Sequence, residues 1–369
     1  MARHLSRILA RVAAVVVMAF AFAAAYATPA HAAAAADLEV KLVGTTLADG
    51  ADEKFATSSI INHGPGDASG IELTFDATAL NATKVDLELP GSCTGSPVAV
   101  CTFPGLVIAA GEDFDIGPLI KRNPGQSGDA GQLTVSVAHD GTDSESSNNS
   151  ATAAVSLPDI SGPDLTAVAL DVYQDTDDAP GEPGPNTPIQ PGGTSNLWVV
   201  VLNQGDTTAN GVKMTITLPE HVSFNEAEPD CTHAVGDSTT VCEYETVVLT
   251  PAPDDDALGF LFFPVKVAAD VEGPVALTDG VVTVAAMNEQ PPPPAARALP
   301  RNFTRIQPDG LNDVDPTDNT DEFTVFVAGP LPVTGARAGL IGATGAVLVA
   351  LGVGLYLIAR RRRPAEVKP

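Results

Sequence analysis

The chain has 369 residues and a formal net charge of −27, from 19 Lys and Arg against 46 Asp and Glu. That length suffices for two domains with real hydrophobic cores. The acidity repels phosphate backbones and acidic polymers, which excludes nucleic acid as a partner.

At the N-terminus Arg3, Arg7 and Arg11 precede an apolar stretch over residues 12–25, and Ala30-His31-Ala32 supplies a small-x-small site. This pattern predicts a secretory signal peptide over residues 1–32, cut after Ala32. Between that cut and residue 334 only ten bases face 45 acids, about −35 in all. Such a charge suits an exported, exposed and soluble surface.

From residue 37 onward the same pattern of landmarks occurs twice. "ADLEVKLVG" aligns with "PDLTAVALD", placing Asp37 against Asp164. "TSSIINHGPGDASGIELTFD" aligns with "LWVVVLNQGDTTANGVKMTITLP", placing Asn62 and Gly64 against Asn203 and Gly205. "VAVCTFPGLVI" aligns with "TTVCEYETVVL", and the asparagine turn "SSNNSATAAVSL" aligns with "PTDNTDEFTVFV". "IELTF", "QLTVSVA", "VKMTITL", "FLFFPVKV" and "EFTVFV" alternate or run apolar over strand lengths. Gly, Pro, Asn and Asp cluster between them as turns require. The fold expected is therefore all-β: two antiparallel β-sandwiches of about seven strands each, over residues 37–158 and 163–328. Trp198, in "LWVVVL", is expected in the core.

The four cysteines fall into two local pairs, one per copy: Cys93 with Cys101, and Cys231 with Cys242. Neither spacing is C-x-x-C, so structural disulfides in an exported chain fit better than a redox or zinc site. The second copy also carries two insertions, residues 174–193 and 287–312, longer than compact domains usually hold without a function. The latter is proline-rich and holds Arg297, Arg301 and Arg305, a candidate basic contact for an acidic partner.

Near the C-terminus stands Leu331-Pro332-Val333-Thr334-Gly335, then an uncharged apolar run over residues 338–359, then four arginines at 360–363. Twenty-two residues make roughly 33 Å of helix, enough to cross a hydrocarbon core of about 30 Å. A single transmembrane helix is expected, with residues 360–369 as a basic cytoplasmic tail by the positive-inside bias. Only Ala328-Gly329-Pro330 separates the last strand from the motif, so no long stalk lifts the exterior away.

These residues carry two resemblances. The Asn-x-Gly turn, the cysteine pair and the asparagine turn before a last strand resemble the tandem conserved repeat of unknown function in bacterial surface proteins. That likeness implies immunoglobulin-like sandwiches and a surface setting rather than a chemistry. Leu331 to Gly335 with its apolar run and arginines resembles the sorting signal of sortase-anchored Gram-positive cell-wall proteins. The resemblance implies that a sortase transpeptidase attacks the Thr334 carbonyl, releases the Gly335 tail, and passes the chain to an amine of a peptidoglycan precursor. The membrane holds the chain before sorting. The implied role is structural or adhesive display at the wall, the alternative being a membrane-retained binding module that recognises an extracellular sugar or protein through the second copy's insertions.

No catalytic pattern stands out. His63, His139, His221 and His233 are scattered, and H-E-x-x-H, G-x-S-x-G and phosphate-loop motifs are missing from the sequence. A non-enzyme without a cofactor is expected. One loose metal candidate remains: Asp309, Asn312, Asp313, Asp315, Asp318 and Asn319 lie within eleven residues and offer the oxygen donors that calcium takes, though not at EF-hand spacing.

Overall fold

The computed structural model describes residues 34–174, 186–288 and 313–329. The signal peptide, the sorting motif, residues 338–369 and most of both insertions lie outside them. Among the described residues no helix is long and apolar enough to cross a membrane.

The described residues are all-β, and their hydrogen-bonded strand pairs are antiparallel. The first half opens with β1 (Leu38–Val43), β2 (Glu53–Phe55), β3 (Thr57–Asn62), β4 (Ala68–Ser69) and β5 (Glu72–Asp76). There follow β6 (Val85–Glu88), β7 (Cys93–Thr94), β8 (Val98–Thr102) and β9 (Val107–Ile108). It closes with β10 (Asp113–Ile116), β11 (Leu119–Arg122), β12 (Gly128–Ala138) and β13 (Ser150–Leu157). The second half holds β14 (Leu165–Ala169), β15 (Thr194–Asn203), β16 (Ala209–Thr217) and β17 (Val222–Phe224). It ends with β18 (Thr239–Leu249), β19 (Leu258–Val267), β20 (Val275–Asn288) and β21 (Thr320–Val327).

Two large hydrophobic cores form because strand alternation sends every second side chain inward, and a small third cluster of Ala48, Ala51 and Val314 joins the halves. In the first half, sheets β1-β3-β10, β2-β11-β6 and β13-β12-β5-β8-β7 enclose Leu38, Ile60, Phe75, Ile120 and Val135. In the second, sheet β14-β15-β19-β17 faces sheet β18-β16-β20-β21 across Leu197, Val199, Met214, Ile216, Phe263 and Val284. Thirteen and eight strands replace the seven expected of each copy, because Gly- and Pro-rich turns cut the first half's strands into pieces as short as two residues.

The expectation for Trp198 is wrong. It lies at an outward position of β15, half-buried, with its ring 5.2 Å from that of Phe262. The described part of the first insertion is packed: Ile189 is buried, and its amide donates to the Phe326 carbonyl.

The aligned asparagines build one device twice. Asn62 Oδ1 accepts from the Gly64 and Asp37 amides, and its Nδ2 donates to the Gly66 and Ile108 carbonyls. Asn203 Oδ1 accepts from the Gly205 and Asp164 amides, and its Nδ2 donates to the Thr207 and Leu249 carbonyls. Each side chain thus satisfies four backbone groups that burial would otherwise leave unpaired. Glycine is needed two residues on, because a Cβ there would lie 2.5 Å from the Asp37 amide nitrogen in one copy and 2.2 Å from the Gly162 carbonyl in the other.

Candidate functional site

The strongest concentration of chemistry lies where the two halves meet, and its parts are repeated elements put to different uses. In the first half, Asp143 accepts from the Leu38 and Glu145 amides and from Asn149. Asn148 donates to Asp37 Oδ1 at 3.0 Å, tying the turn before the last strand to the first strand. In the second half Asp313 takes the place of Asp143, accepting from the Leu165 and Asp315 amides and from Asn319. The residue matching Asn148, however, is Asp318, and it faces Asp164 where Asn148 faces Asp37.

Two ionised carboxylates repel at such a contact. Lys54, from β2 of the first half, reaches in between them. Its Nζ lies 2.6 Å from Asp164 Oδ2, 3.1 Å from Asp318 Oδ2 and 3.5 Å from Asp315 Oδ2. Lys54 is 1% exposed, and the three acids are between 0% and 3% exposed. Burial alone would lower the Lys54 pKa, but the charges of Asp318, Asp164 and Asp315 hold it well above the ordinary lysine value. Burial pushes the Asp164 and Asp318 carboxyls up, with Lys54 pulling the other way. Asp315, also buried, ends below its usual value through Lys54, the Thr317 hydroxyl and the Thr46 amide. Asp164 Oδ1 and Asp318 Oδ1 are buried with no hydrogen-bond partner among the described residues.

Neighbouring contacts extend the junction. Gln204 accepts from the Phe55 amide and donates to the Phe55 carbonyl and to Thr166. Thr46 and Gly50 donate their amides to Asp315 and Asp206.

A second group of acids lines the same junction with no buried cation beside it among the described residues. Asp113 of β10 shares a hydrogen bond between carboxyl groups with Asp171, and the Asp113 and Thr324 amides also donate to Asp171. Burial, then the Asp171 and Asp115 charges, push Asp113 up to about 9. Burial likewise raises Asp171 to about 7, and burial with the Asp115 charge raises Asp321 to about 8. Asp115 is raised by burial, partly offset by the Ser59 hydroxyl. Tyr173, raised by burial and by Glu112, donates to Glu112 Oε1 at 3.1 Å. A cavity of about 80 Å³ opens between the halves here, lined by Lys41, Ser59, Asp113, Asp318, Asp321 and Glu322.

Of the calcium candidates, Asp309 lies outside the described residues. Asp313, Asp315 and Asp318 do come together, but the partners of their bonded oxygens are backbone amides, hydroxyls and the Lys54 ammonium. Among the described residues no group of three or more His, Cys, Asp or Glu has metal-holding geometry. Both expected disulfides are formed, Cys93–Cys101 and Cys231–Cys242, each across neighbouring antiparallel segments. Arg297, Arg301 and Arg305, like Leu331 to Gly335, lie outside the described residues. Lys54 and Asp164 went unremarked as a pair in the sequence. The usable signal was Asp318 standing where its copy has the half-buried Asn148, since two acids brought together under burial must either share a cation or hold a proton.

These features define an all-β, antiparallel, disulfide-linked protein whose halves are joined through buried charge. No protein-family profile matches the chain, and no curated protein sequence matches it. Solved structures similar to it include a red sea bream transglutaminase, at 10% identity over 79% of this chain and 31% of that one, with a TM-score of 0.22. Native Escherichia coli alpha-2-macroglobulin matches at 10% identity over 80% of this chain and 17% of its own, with a TM-score of 0.25. The trypsin-activated form matches at 12% identity, 80% and 18% coverage, and a TM-score of 0.24. The chain spans less than a third of the length of each, and at these scores the likeness carries no functional argument.

Proposed function

We propose that the chain is an exported surface protein displayed at a Gram-positive cell wall, covalently attached through Thr334 and without catalysis of its own. The carrying observation is the contiguity of Leu331-Pro332-Val333-Thr334-Gly335, the uncharged run 338–359 and the arginines at 360–363. Pro332 lacks a backbone donor and favours an extended segment that can lie in a transpeptidase cleft. Thr334 supplies the electrophilic carbonyl; the nucleophile belongs to the sortase. The two disulfides favour an oxidising, exported setting.

In this reading residues 37–158 and 163–328 are two immunoglobulin-like sandwiches acting as one stiff unit. Support for stiffness comes from the buried Lys54 contacts, which would resist hinging between them. Each module would span roughly 30–40 Å at about 3.3 Å per strand residue, so the pair stays at or within the wall.

The test is Thr334→Ala in a sortase-bearing Gram-positive host. The native chain should leave the wall only after muralytic digestion, carrying a peptidoglycan fragment. The variant should remain extractable with the membrane, its tail intact. Unchanged covalent attachment in the variant would refute the proposal.

A further inference from the structure

Sheet β14-β15-β19-β17 turns one face to its core and the other outward, and the outward face is apolar. Cross-strand register sets Trp198 opposite Phe262, Val200 opposite Phe260, and Leu202 opposite Leu258. Phe260 is 55% exposed, Phe262 53% and Leu258 41%, values that surface strands of a soluble protein rarely combine in three successive pairs. The outward positions of β15 and β19 hold no acid at all, in an exterior of about −35. The pairs cover roughly 14 Å along the strands and 10 Å across them. That footprint falls well short of the about 800 Å² each partner buries in a stable protein complex, and matches one short extended segment.

The chain supplies such a segment at this place. Residues 289–312 leave β20 after Asn288, which pairs with Asn210. The neighbouring Ala209 pairs with Leu249, whose carbonyl accepts from Asn203. The segment re-enters at Asp313, whose carboxylate accepts from the Leu165 amide, and Leu165 pairs with Asn203. Both flanks therefore converge on Asn203, the residue after Leu202, at one end of the apolar face. Twenty-four residues reach about 80 Å when extended, ample for a course along the face and back.

Its composition fits as well. Pro291, Pro292, Pro293 and Pro294 are followed by Leu299, Phe303 and Ile306, with three arginines against Glu289 and Asp309. Proline-rich segments lose little entropy on docking and are taken up by aromatic surfaces. A net positive segment is also drawn to an acidic body rather than repelled by it.

We propose that the Trp198–Phe260–Phe262 face of β15 and β19 is the docking surface for the chain's own proline-rich segment, residues 289–312. The segment is thus a self-ligand that shields an otherwise exposed aromatic face, and its arginines ride on the acidic exterior.

Trp198 is the sole tryptophan, so its fluorescence reports on this face alone. In the purified full-length chain, acrylamide quenching of Trp198 should be weak. Replacing residues 289–305 with a glycine-serine stretch of equal length should raise quenching several-fold and shift emission to the red, with circular dichroism and melting unchanged. In a second variant, Phe260→Ser with Phe262→Ser, tryptic cleavage at Arg301 should quicken several-fold as the segment is released. Equal quenching in the native and replaced chains would overturn the proposal. Shielding that survives the replacement and grows with protein concentration would also overturn it, by assigning the face to a second copy.

Discussion

Two clamps of common design, one in each half, differ by a single amide. Asn148 in the first half bonds Asp37 directly, and the turn before the last strand is held to the first strand within one sandwich. In the second half an acid, Asp318, stands at that place, and the gap between it and Asp164 is bridged by Lys54 from the other half. The neutral clamp closes on itself, whereas the charged one closes through a cation borrowed from its neighbour. A local substitution in one copy thereby becomes a bond between the two.

The largest break in this comparison is Lys54→Met, which leaves three buried acids without a counter-charge. It should cost about 3–5 kcal/mol in urea unfolding. Adding Asp318→Asn to that variant restores the first half's neutral pairing and should return a measurable part, about 1–2 kcal/mol. Strict additivity of the two substitutions would show that the clamps are not equivalent.

Next come the asparagines. Asn62→Ala and Asn203→Ala each strand four buried backbone groups and should cost about 2–4 kcal/mol by chemical denaturation. Asn203→Ala should be the costlier, because Asn203 Oδ1 also holds the amide of Asp164, whose carboxylate binds Lys54. An equal cost would mean that Asp164 is held by Lys54 alone.

A smaller effect follows from pH. Burial holds Asp113, Asp171 and Asp321 in the folded chain at about 9, 7 and 8, well above the ordinary carboxylate range. The folded state therefore binds more protons than the unfolded one between about pH 4 and 9, and stability falls as pH rises through that window. Tm should drop by about 4–8 °C from pH 5 to pH 9, on the order of 2 kcal/mol. Asp113→Asn should flatten the curve, and a Tm that rises with pH would reverse the assignment. Asp318→Asn alone, leaving Lys54 with Asp164 and Asp315, should change stability least, by about 1 kcal/mol or less.

Much of the fold was legible because its signals are local. The alternation of β15 and β16, the Asn-x-Gly turns and the paired cysteines each act within a dozen residues, so the sequence displays them directly. Trp198 was misread for the same reason: alternation says that neighbours face opposite ways, but not which way is in. The "VVVL" that follows it runs apolar on both faces, and only sheet packing chose the odd-numbered residues for the core.

By itself the sequence determined the strand content, the duplicated asparagine device, the disulfide partners and the acidic surface, all consequences of spacing and composition. Only the tertiary structure decided that Lys54 lies among Asp164, Asp315 and Asp318, more than 100 and 260 residues away. Burial and ion pairing depend on which surfaces meet, and no period or motif in the chain encodes that meeting.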